Sequence, residues 1–114
     1  MINDRIEEAS VRETIEEIRV LGQQVLYCKA DVSNRADVAA MFSTAKAHFG
    51  QIDIVVSNAA VSIRERVVEA KWENVRKTLE TTQFGVFHVC QMAAQQMIDH
   101  APSPRSRGKI IVIS

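Results

Sequence analysis

The segment 52–57, IDIVVS, constrains the fold more than any other part of the chain. It is apolar almost throughout, whereas a strand with one face in water alternates apolar and polar residues. Such a run is typical of a strand that is buried on both faces, as in a parallel sheet. A second run of this kind, KIIVIS, occupies residues 109–114. We therefore expect both segments to be buried strands of one parallel sheet.

Helical patterns separate the predicted strands. Apolar residues recur at helical spacing before, between and after them, and isolated glycines stand where helices end. This alternation of helix and strand indicates an α/β domain. The predicted order is helix 5–21, strand 23–30, a helix that Ser33 or Asn34 caps and Gly50 ends, strand 52–57, a long helix 72–100, a loop 101–108 and strand 109–114. Residues 1–4, MIND, resemble the end of a further strand.

Small or hydrogen-bonding residues follow every predicted strand. In open α/β sheets, ligands bind beyond the carboxyl ends of the strands. The residues at these ends are Asp4, Asp31 and Val32, the run Ser57-Asn58-Ala59-Ala60, and Ser114. Together, these four strand ends favour a crevice that binds a nucleotide. Taken singly, Asp31 is equally well interpreted as a turn or capping residue, and Asn58 as an ordinary turn asparagine.

Charge and composition exclude several classes of protein. The 114 residues include 14 basic and 14 acidic side chains, so no basic surface points to nucleic acid or to an anionic membrane. No apolar run approaches the roughly 18 residues of a membrane span, and no leader pattern is recognised. We therefore expect a cytoplasmic protein. Cys28 and Cys90 are expected to be buried and reduced, and the histidines His48, His88 and His100 lack metal-ligand spacing.

Three motifs in register carry a resemblance to a known family. HFGQIDIVVSNAA, residues 48–60, together with ADVSN upstream and GKIIVIS downstream, resembles the middle of a short-chain dehydrogenase/reductase. The resemblance covers essentially all 114 residues. It implies a Rossmann-like doubly wound parallel sheet, with residues 1–114 forming a partial NAD(P)-binding domain. It also implies an oxidoreductase that transfers a hydride between a nicotinamide cofactor and an alcohol or carbonyl substrate, in a homo-oligomeric parent protein.

The resemblance assigns cofactor contacts to the first two strand ends. Asp4 stands where the family has the carboxylate that accepts from the adenosine ribose hydroxyls, which favours NAD because it repels a 2′-phosphate. Arg5 follows directly, and an arginine there suits NADP instead. Asp31 is expected to accept from the adenine amino group, and the Val32 backbone amide to meet a ring nitrogen.

The resemblance assigns two further positions. Asn58, Ala59 and Ala60 are expected to line the adenine-ribose side, and Ala60 replaces the family's usual glycine. Thr82 stands where the family has the asparagine of its catalytic tetrad, whose main-chain carbonyl holds a water of the proton relay. A threonine can keep that backbone role and bond back to the i−4 carbonyl. A tolerated polar residue on the inner face of the helix is an equally good interpretation of Thr82.

Other family parts are not found between residues 1 and 114. These are the glycine-rich turn that seats the pyrophosphate, the first strand, and the catalytic Ser, Tyr and Lys. We therefore expect this chain by itself to be inactive, to bind dinucleotide poorly and to be marginally stable. Two strand pairs would flank a gap one strand wide, with valine- and isoleucine-rich edges. The alternative is a non-catalytic α/β binding module, receiver-like or flavodoxin-like, whose acidic pair or phosphate loop is also not found.

Overall fold

The computed structural model of the chain describes residues 1–6, 9–99 and 108–114. Helices and strands alternate through these ranges, as the sequence predicts. In chain order the elements are β1 Ile2–Asp4, α1 Ala9–Val20, β2 Tyr27–Lys29, α2 Arg35–Phe49, β3 Ile54–Ser57, a 3-10 turn Val67–Glu69, α3 Trp72–Leu79, a π-helical stretch Glu80–Gly85, α4 Val86–Asp99 and β4 Lys109–Val112. We call the stretch Glu80–Gly85 the π-segment.

The strands form two separate parallel pairs. β1 pairs with β2 so that Asp4 lies opposite Lys29, and β3 pairs with β4 so that Ser57 lies opposite Val112. Among the described residues, no strand joins one pair to the other. This confirms the expected arrangement of two strand pairs in place of one continuous sheet.

One hydrophobic core connects the two pairs. Helical spacing gives α2 and α4 apolar stripes that pack against each other. The core reaches the carboxyl end of β2 at Ala30 and Val32, and Val55 of β3 packs against its margin. Its other buried members are Val38, Met41, Phe42, Val89, Ala93 and Met97. The helices α2 and α4 therefore hold both strand pairs, although no hydrogen bond between the pairs is found among the described residues.

Residues at its two ends fix the limits of α2. Asn34 caps the helix, and its side-chain oxygen accepts a hydrogen bond from the Ala36 N–H at 2.9 Å. Asp37 is acidic in the first turn, where it suits the helix dipole. Gly50 ends the helix with a φ of 80°, a conformation that glycine adopts without strain. These features confirm the predicted cap and the predicted stop.

The second face of the β3–β4 pair is open to solvent. Ile54 and Val56 are 60% and 55% exposed, and β4 is exposed along its length. The prediction that both strands are buried on both faces is therefore wrong for the described residues, because α4 is the described helix that packs against this pair and it covers only one face. The expected valine- and isoleucine-rich edge is found in β3, whereas β1 reads Ile2, Asn3 and Asp4.

The long predicted helix is interrupted. Instead of one helix over 72–100, α3 passes through the π-segment into α4, and His100 lies outside the described residues. The π-segment is wound more widely than an α-helix, and such turns are frequent at functional sites. Residues 101–107 of the predicted loop 101–108, and Glu7 and Glu8 of the first predicted helix, are also outside the described ranges. None of the helices described is long and apolar enough to cross a membrane.

Candidate functional site

The candidate site lies at the carboxyl ends of β1, β2 and β3. The turn after β2 contains Asp31 and Val32, and the loop after β3 begins with Asn58, Ala59 and Ala60. The helical segment 82–88 contacts both of these connections, the first through Gly85 and His88 and the second through Thr82. This helical segment therefore connects the two sides of the site. We call the turn after β2 the first wall and the loop after β3 the second wall.

Asp31 has a structural role and a free oxygen. Its Oδ1 accepts hydrogen bonds from the Ser33 N–H at 2.9 Å and from the Ser33 hydroxyl at 2.7 Å. Its own N–H donates to Asp37 Oδ2 at 3.1 Å, and its carbonyl accepts from the Asn34 N–H at 2.9 Å. The turn interpretation of Asp31 is therefore correct. It leaves Oδ2 without a hydrogen-bond partner within the described ranges, and that oxygen can accept from a ligand.

Val32 presents an unpaired backbone donor. Its side chain is only 7% exposed and belongs to the core, and its carbonyl lies 3.1 Å from His88 Nδ1. In the part of the chain that the structure describes, the Val32 N–H has no hydrogen-bond partner. A backbone N–H left unpaired beside a partly buried turn is uncommon, since such groups normally find a partner. This donor and Asp31 Oδ2 belong to adjacent residues of the same turn.

The wall after β3 is built from small, exposed residues. Ser57, the last residue of the strand, is buried, and its carbonyl accepts from the Ile113 N–H at 3.0 Å. The next three residues, Asn58, Ala59 and Ala60, are exposed. Within the described ranges the Asn58 side chain has no hydrogen bond. Short side chains here leave the backbone accessible to a flat or extended ligand.

Asp4 and Arg5 flank the first wall. The Asp4 carbonyl accepts from the Ala30 N–H at 3.1 Å, which places Asp4 beside the residue that precedes Asp31. The Asp4 carboxylate accepts from the Ile6 N–H at 3.1 Å and is exposed, as is Arg5. The structure thus brings Asp4 and Asp31 to the same end of the β1–β2 pair.

Thr82 fastens the loop after β3 to the π-segment. Its hydroxyl donates to the Val61 carbonyl at 3.1 Å and accepts from the Val61 N–H at 3.3 Å. A hydroxyl can do both because it carries one hydrogen and two lone pairs. Thr82 therefore does not make the bond to the i−4 carbonyl that a threonine can make, and the predicted inner-face position is wrong, since Thr82 is exposed. The wide winding of the π-segment directs the side chain across to the loop.

Replacing Thr82 by valine is expected to release Val61. Valine keeps the shape but makes neither hydrogen bond, and each neutral bond contributes about 1 kcal/mol. Amide hydrogen exchange at Val61, followed by NMR, should therefore accelerate by about 5-fold or more. Thr82→Ser keeps the hydroxyl and should retain most of the protection. Equal exchange rates in the wild-type chain and Thr82→Val would show that the bridge does not hold the loop.

Two residues of the site were not predicted from the sequence. From the sequence, His88 is only one of three histidines that lack metal-ligand spacing, and no contact is expected for Gly85. Both contact Val32, which lies more than 50 positions earlier in the chain. No local sequence pattern signals such a contact. Among the described residues, no cluster of three or more His, Cys, Asp or Glu side chains could hold a metal ion.

Comparison with known proteins identifies the family. The model of the short chain dehydrogenase family matches residues 2–114. The diacetyl reductase [(S)-acetoin forming] of Staphylococcus epidermidis is 34% identical over 106 residues, which are 93% of this chain and 40% of that protein. The crystal structure of a short-chain type dehydrogenase/reductase from Mycobacterium marinum superposes with a TM-score of 0.87 at 26% identity, over 96% of this chain and 41% of that one.

A third comparison concerns the fold alone. A 7α-hydroxysteroid dehydrogenase, solved in complex with NADH and 7-oxo glycochenodeoxycholic acid, superposes with a TM-score of 0.85 at 24% identity, over 99% of this chain and 42% of that one. The fold is thus Rossmann-like, and the chain belongs to the short-chain dehydrogenase/reductase family. It spans about 40% of the length of the curated relatives it matches. The family match favours this interpretation over a receiver-like or flavodoxin-like module.

Proposed function

We propose that residues 1–114 form the adenosine-binding part of an NAD(P)-dependent oxidoreductase. Its reaction is hydride transfer between the nicotinamide cofactor and an alcohol or carbonyl substrate. The observation that carries the proposal is the turn after β2, where an unpaired Val32 N–H stands next to the free Oδ2 of Asp31. One donor beside one charged acceptor matches the ring nitrogen and the amino group on one edge of adenine.

The chain's own residues would bind and orient the cofactor. Asp31 Oδ2 would accept from the adenine amino group, and the Val32 N–H would donate to the neighbouring ring nitrogen. Asn58, Ala59 and Ala60 would lie against the adenosine, with their small side chains allowing a close approach to the backbone. When bound, the nicotinamide supplies the hydride chemistry, and the protein supplies position and electrostatics. In this proposal Thr82 is a positioning residue that fixes the loop carrying the second wall.

NAD is proposed over NADP on the basis of charge. The exposed Asp4 carboxylate beside the adenine turn suits two ribose hydroxyls and repels a 2′-phosphate. Arg5 opposes this preference because a guanidinium attracts phosphate. The proposal of NAD rests on the carboxylate being placed by β1 itself, whereas Arg5 lies just beyond that strand.

Further parts of the proposal concern the protein as a whole. We propose a cytoplasmic location, which suits the two free, half-buried cysteines Cys28 and Cys90. A homo-oligomeric whole protein and a small alcohol or carbonyl substrate complete it, with the family resemblance as their support. The curated relatives of this chain are named for different substrates. We therefore propose the substrate only as a class.

The proposal is tested by comparing the binding of AMP and IMP. These nucleotides carry the same ribose phosphate but different bases. We expect the wild-type chain to bind AMP with a dissociation constant of about 1 mM. A few hydrogen bonds, together with one face of the adenosine packed against the second wall, would give an affinity of this size. IMP should bind more weakly, because its ring nitrogen carries a hydrogen and cannot accept from the Val32 N–H. Titrations followed by NMR amide shifts at Val32 and Ala59 would measure both affinities.

Asp31→Asn provides the matched variant for this titration. The amide keeps one oxygen for the Ser33 donors but removes the charged acceptor, so AMP affinity should fall about 5- to 10-fold. Asp99→Asn, an exposed aspartate at the end of α4, should leave AMP affinity unchanged. Equal affinities of wild-type chain for AMP and IMP would overturn the proposed adenine recognition.

A further inference from the structure

We infer that His88 is a positioning residue that holds the turn after β2, residues 31–34, in the conformation that binds adenine. We call this segment the adenine-recognition turn. The inference rests on the proposed function of that turn. His88 lies on α4, outside the residues assigned to cofactor contact, and is half-buried. It touches neither adenine nor substrate in this scheme. Its role is to orient the peptide group that follows Val32, and through it the carboxylate of Asp31.

The contact itself defines the state of the imidazole ring. Nδ1 of His88 lies 3.1 Å from the Val32 carbonyl oxygen. A carbonyl can only accept, so Nδ1 must carry a hydrogen, which is the less common tautomer of a free neutral imidazole. The Val32 carbonyl thus selects against the neutral tautomer whose hydrogen is on Nε2. This selection gives a spectroscopic signature that is independent of any ligand.

The peptide group between Val32 and Ser33 is restrained from both sides. On one side its carbonyl accepts from His88, and on the other its N–H donates to Asp31 Oδ1 at 2.9 Å. The carboxylate cannot turn without breaking the second bond, and the peptide cannot turn without breaking the first. The direction of the free Oδ2 is therefore coupled to His88, although His88 and Asp31 are not in contact.

The remaining backbone groups of the turn are also fixed. The Asp31 N–H donates to Asp37 and the Asp31 carbonyl accepts from the Asn34 N–H. After these bonds, the Val32 N–H is the one backbone polar group of Asp31 and Val32 that has no partner in the described ranges. Removing the His88 donor would free the Val32 carbonyl as well. The turn would then lose the constraint that keeps its single open donor aligned with Oδ2.

A purely structural interpretation of the contact makes a different prediction. If His88 only ties α4 to the turn, its loss lowers stability but changes the affinities for AMP and IMP equally. If His88 positions the turn, its loss reduces the preference for AMP over IMP, because that preference depends on aligning Val32 N–H and Asp31 Oδ2. The ratio of the two affinities is therefore the decisive measurement.

Three variants of the chain test the inference. His88→Leu removes the donor. His88→Asn keeps a donor nitrogen the same number of bonds from Cα as Nδ1. Gln95→Leu places the same leucine at an exposed position of α4 and controls for added apolar surface. For each, NMR would give the backbone order of residues 31–34 without ligand and the AMP and IMP dissociation constants. The imidazole ¹⁵N spectrum would report the tautomer in the wild-type chain.

We expect the AMP-to-IMP affinity ratio to fall about 3- to 5-fold in His88→Leu, to recover in His88→Asn and to be unchanged in Gln95→Leu. Residues 31–34 should become more mobile in the leucine variant alone. An unchanged ratio in a folded His88→Leu chain, with the wild type preferring AMP, would overturn the inference and leave the proposed function standing. Loss of order at 31–34 in a chain whose wild type does not prefer AMP would overturn the proposed function and retain only the structural contact.

Discussion

Replacing Phe42 by alanine is expected to lower the free energy of unfolding by about 3 to 5 kcal/mol, the usual range for an aromatic side chain removed from a core. Phe42 is 3% exposed and lies on α2, in the core that connects the two strand pairs. Small domains are stable by only about 5 to 15 kcal/mol. Because this chain is expected to be marginally stable, at or below the low end of that range, a loss of this size should leave it largely unfolded and should also abolish AMP binding.

Phe87→Ala is the matched control for this prediction. It removes the same side chain from α4, where Phe87 is 60% exposed, and should change stability by no more than about 1 kcal/mol. Urea unfolding followed by circular dichroism would compare both variants, with the same sucrose concentration added to strengthen the folded state of each. Similar losses in the two variants would show that the α2–α4 core is not what holds the chain together.

Replacing Gly85 by alanine is expected to disturb the adenine-recognition turn, although Gly85 lies more than fifty positions after that turn in the chain. A Cβ built on Gly85 would lie 2.7 Å from Val32 Cγ2 and 3.3 Å from the Val32 carbonyl carbon. Val32 is buried and β-branched, so its side chain has little freedom to move aside. Such overpacking costs about 1 to 3 kcal/mol and should push Val32 away from α4.

A double-mutant cycle isolates this contact. Val32→Ala removes the atom that the new methyl group would strike, so Gly85→Ala should be much milder in that background than in the wild-type chain. The expected coupling is about 1 kcal/mol or more, measured from urea unfolding of the four chains. In addition, the NMR signal of the Val32 amide should shift in Gly85→Ala. Additive effects of the two substitutions would show that Gly85 and Val32 do not press on each other.

Local sequence patterns predicted the parts of the fold that depend on local chemistry. The cap at Asn34, the stop at Gly50 and the apolar stripe of α2 all follow from short-range rules of helix formation, and all three are present. Strand pairing followed from the family resemblance, which placed the missing strand between the two pairs. Strand burial could not be read the same way. Ile54 and Val56 are apolar, but whether a residue is covered depends on what else packs against its face.

The site shows the same division between local and distant information. Asp31 and Val32 were recognisable because they follow a strand and match a family motif. The hydrogen bonds that orient them were not, since His88 and Gly85 reach them from a distant helix. Thr82 illustrates the limit most clearly. Its position along the chain was noticed, but its partner Val61 depends on the change in helical winding at residues 80–85, which sequence periodicity does not show.

The π-segment absorbs one extra residue without turning α4 away from its partners. A π turn is wound more widely than an α turn, so these six residues sweep nearly the same angle as five residues of an α-helix. If the same six residues rewound as a regular α-helix, α4 would rotate by about 100° relative to α3. His88 would then no longer face Val32. The wide winding thus compensates in angle for the added length, and it lets one continuous helical segment reach both Val61 and Val32.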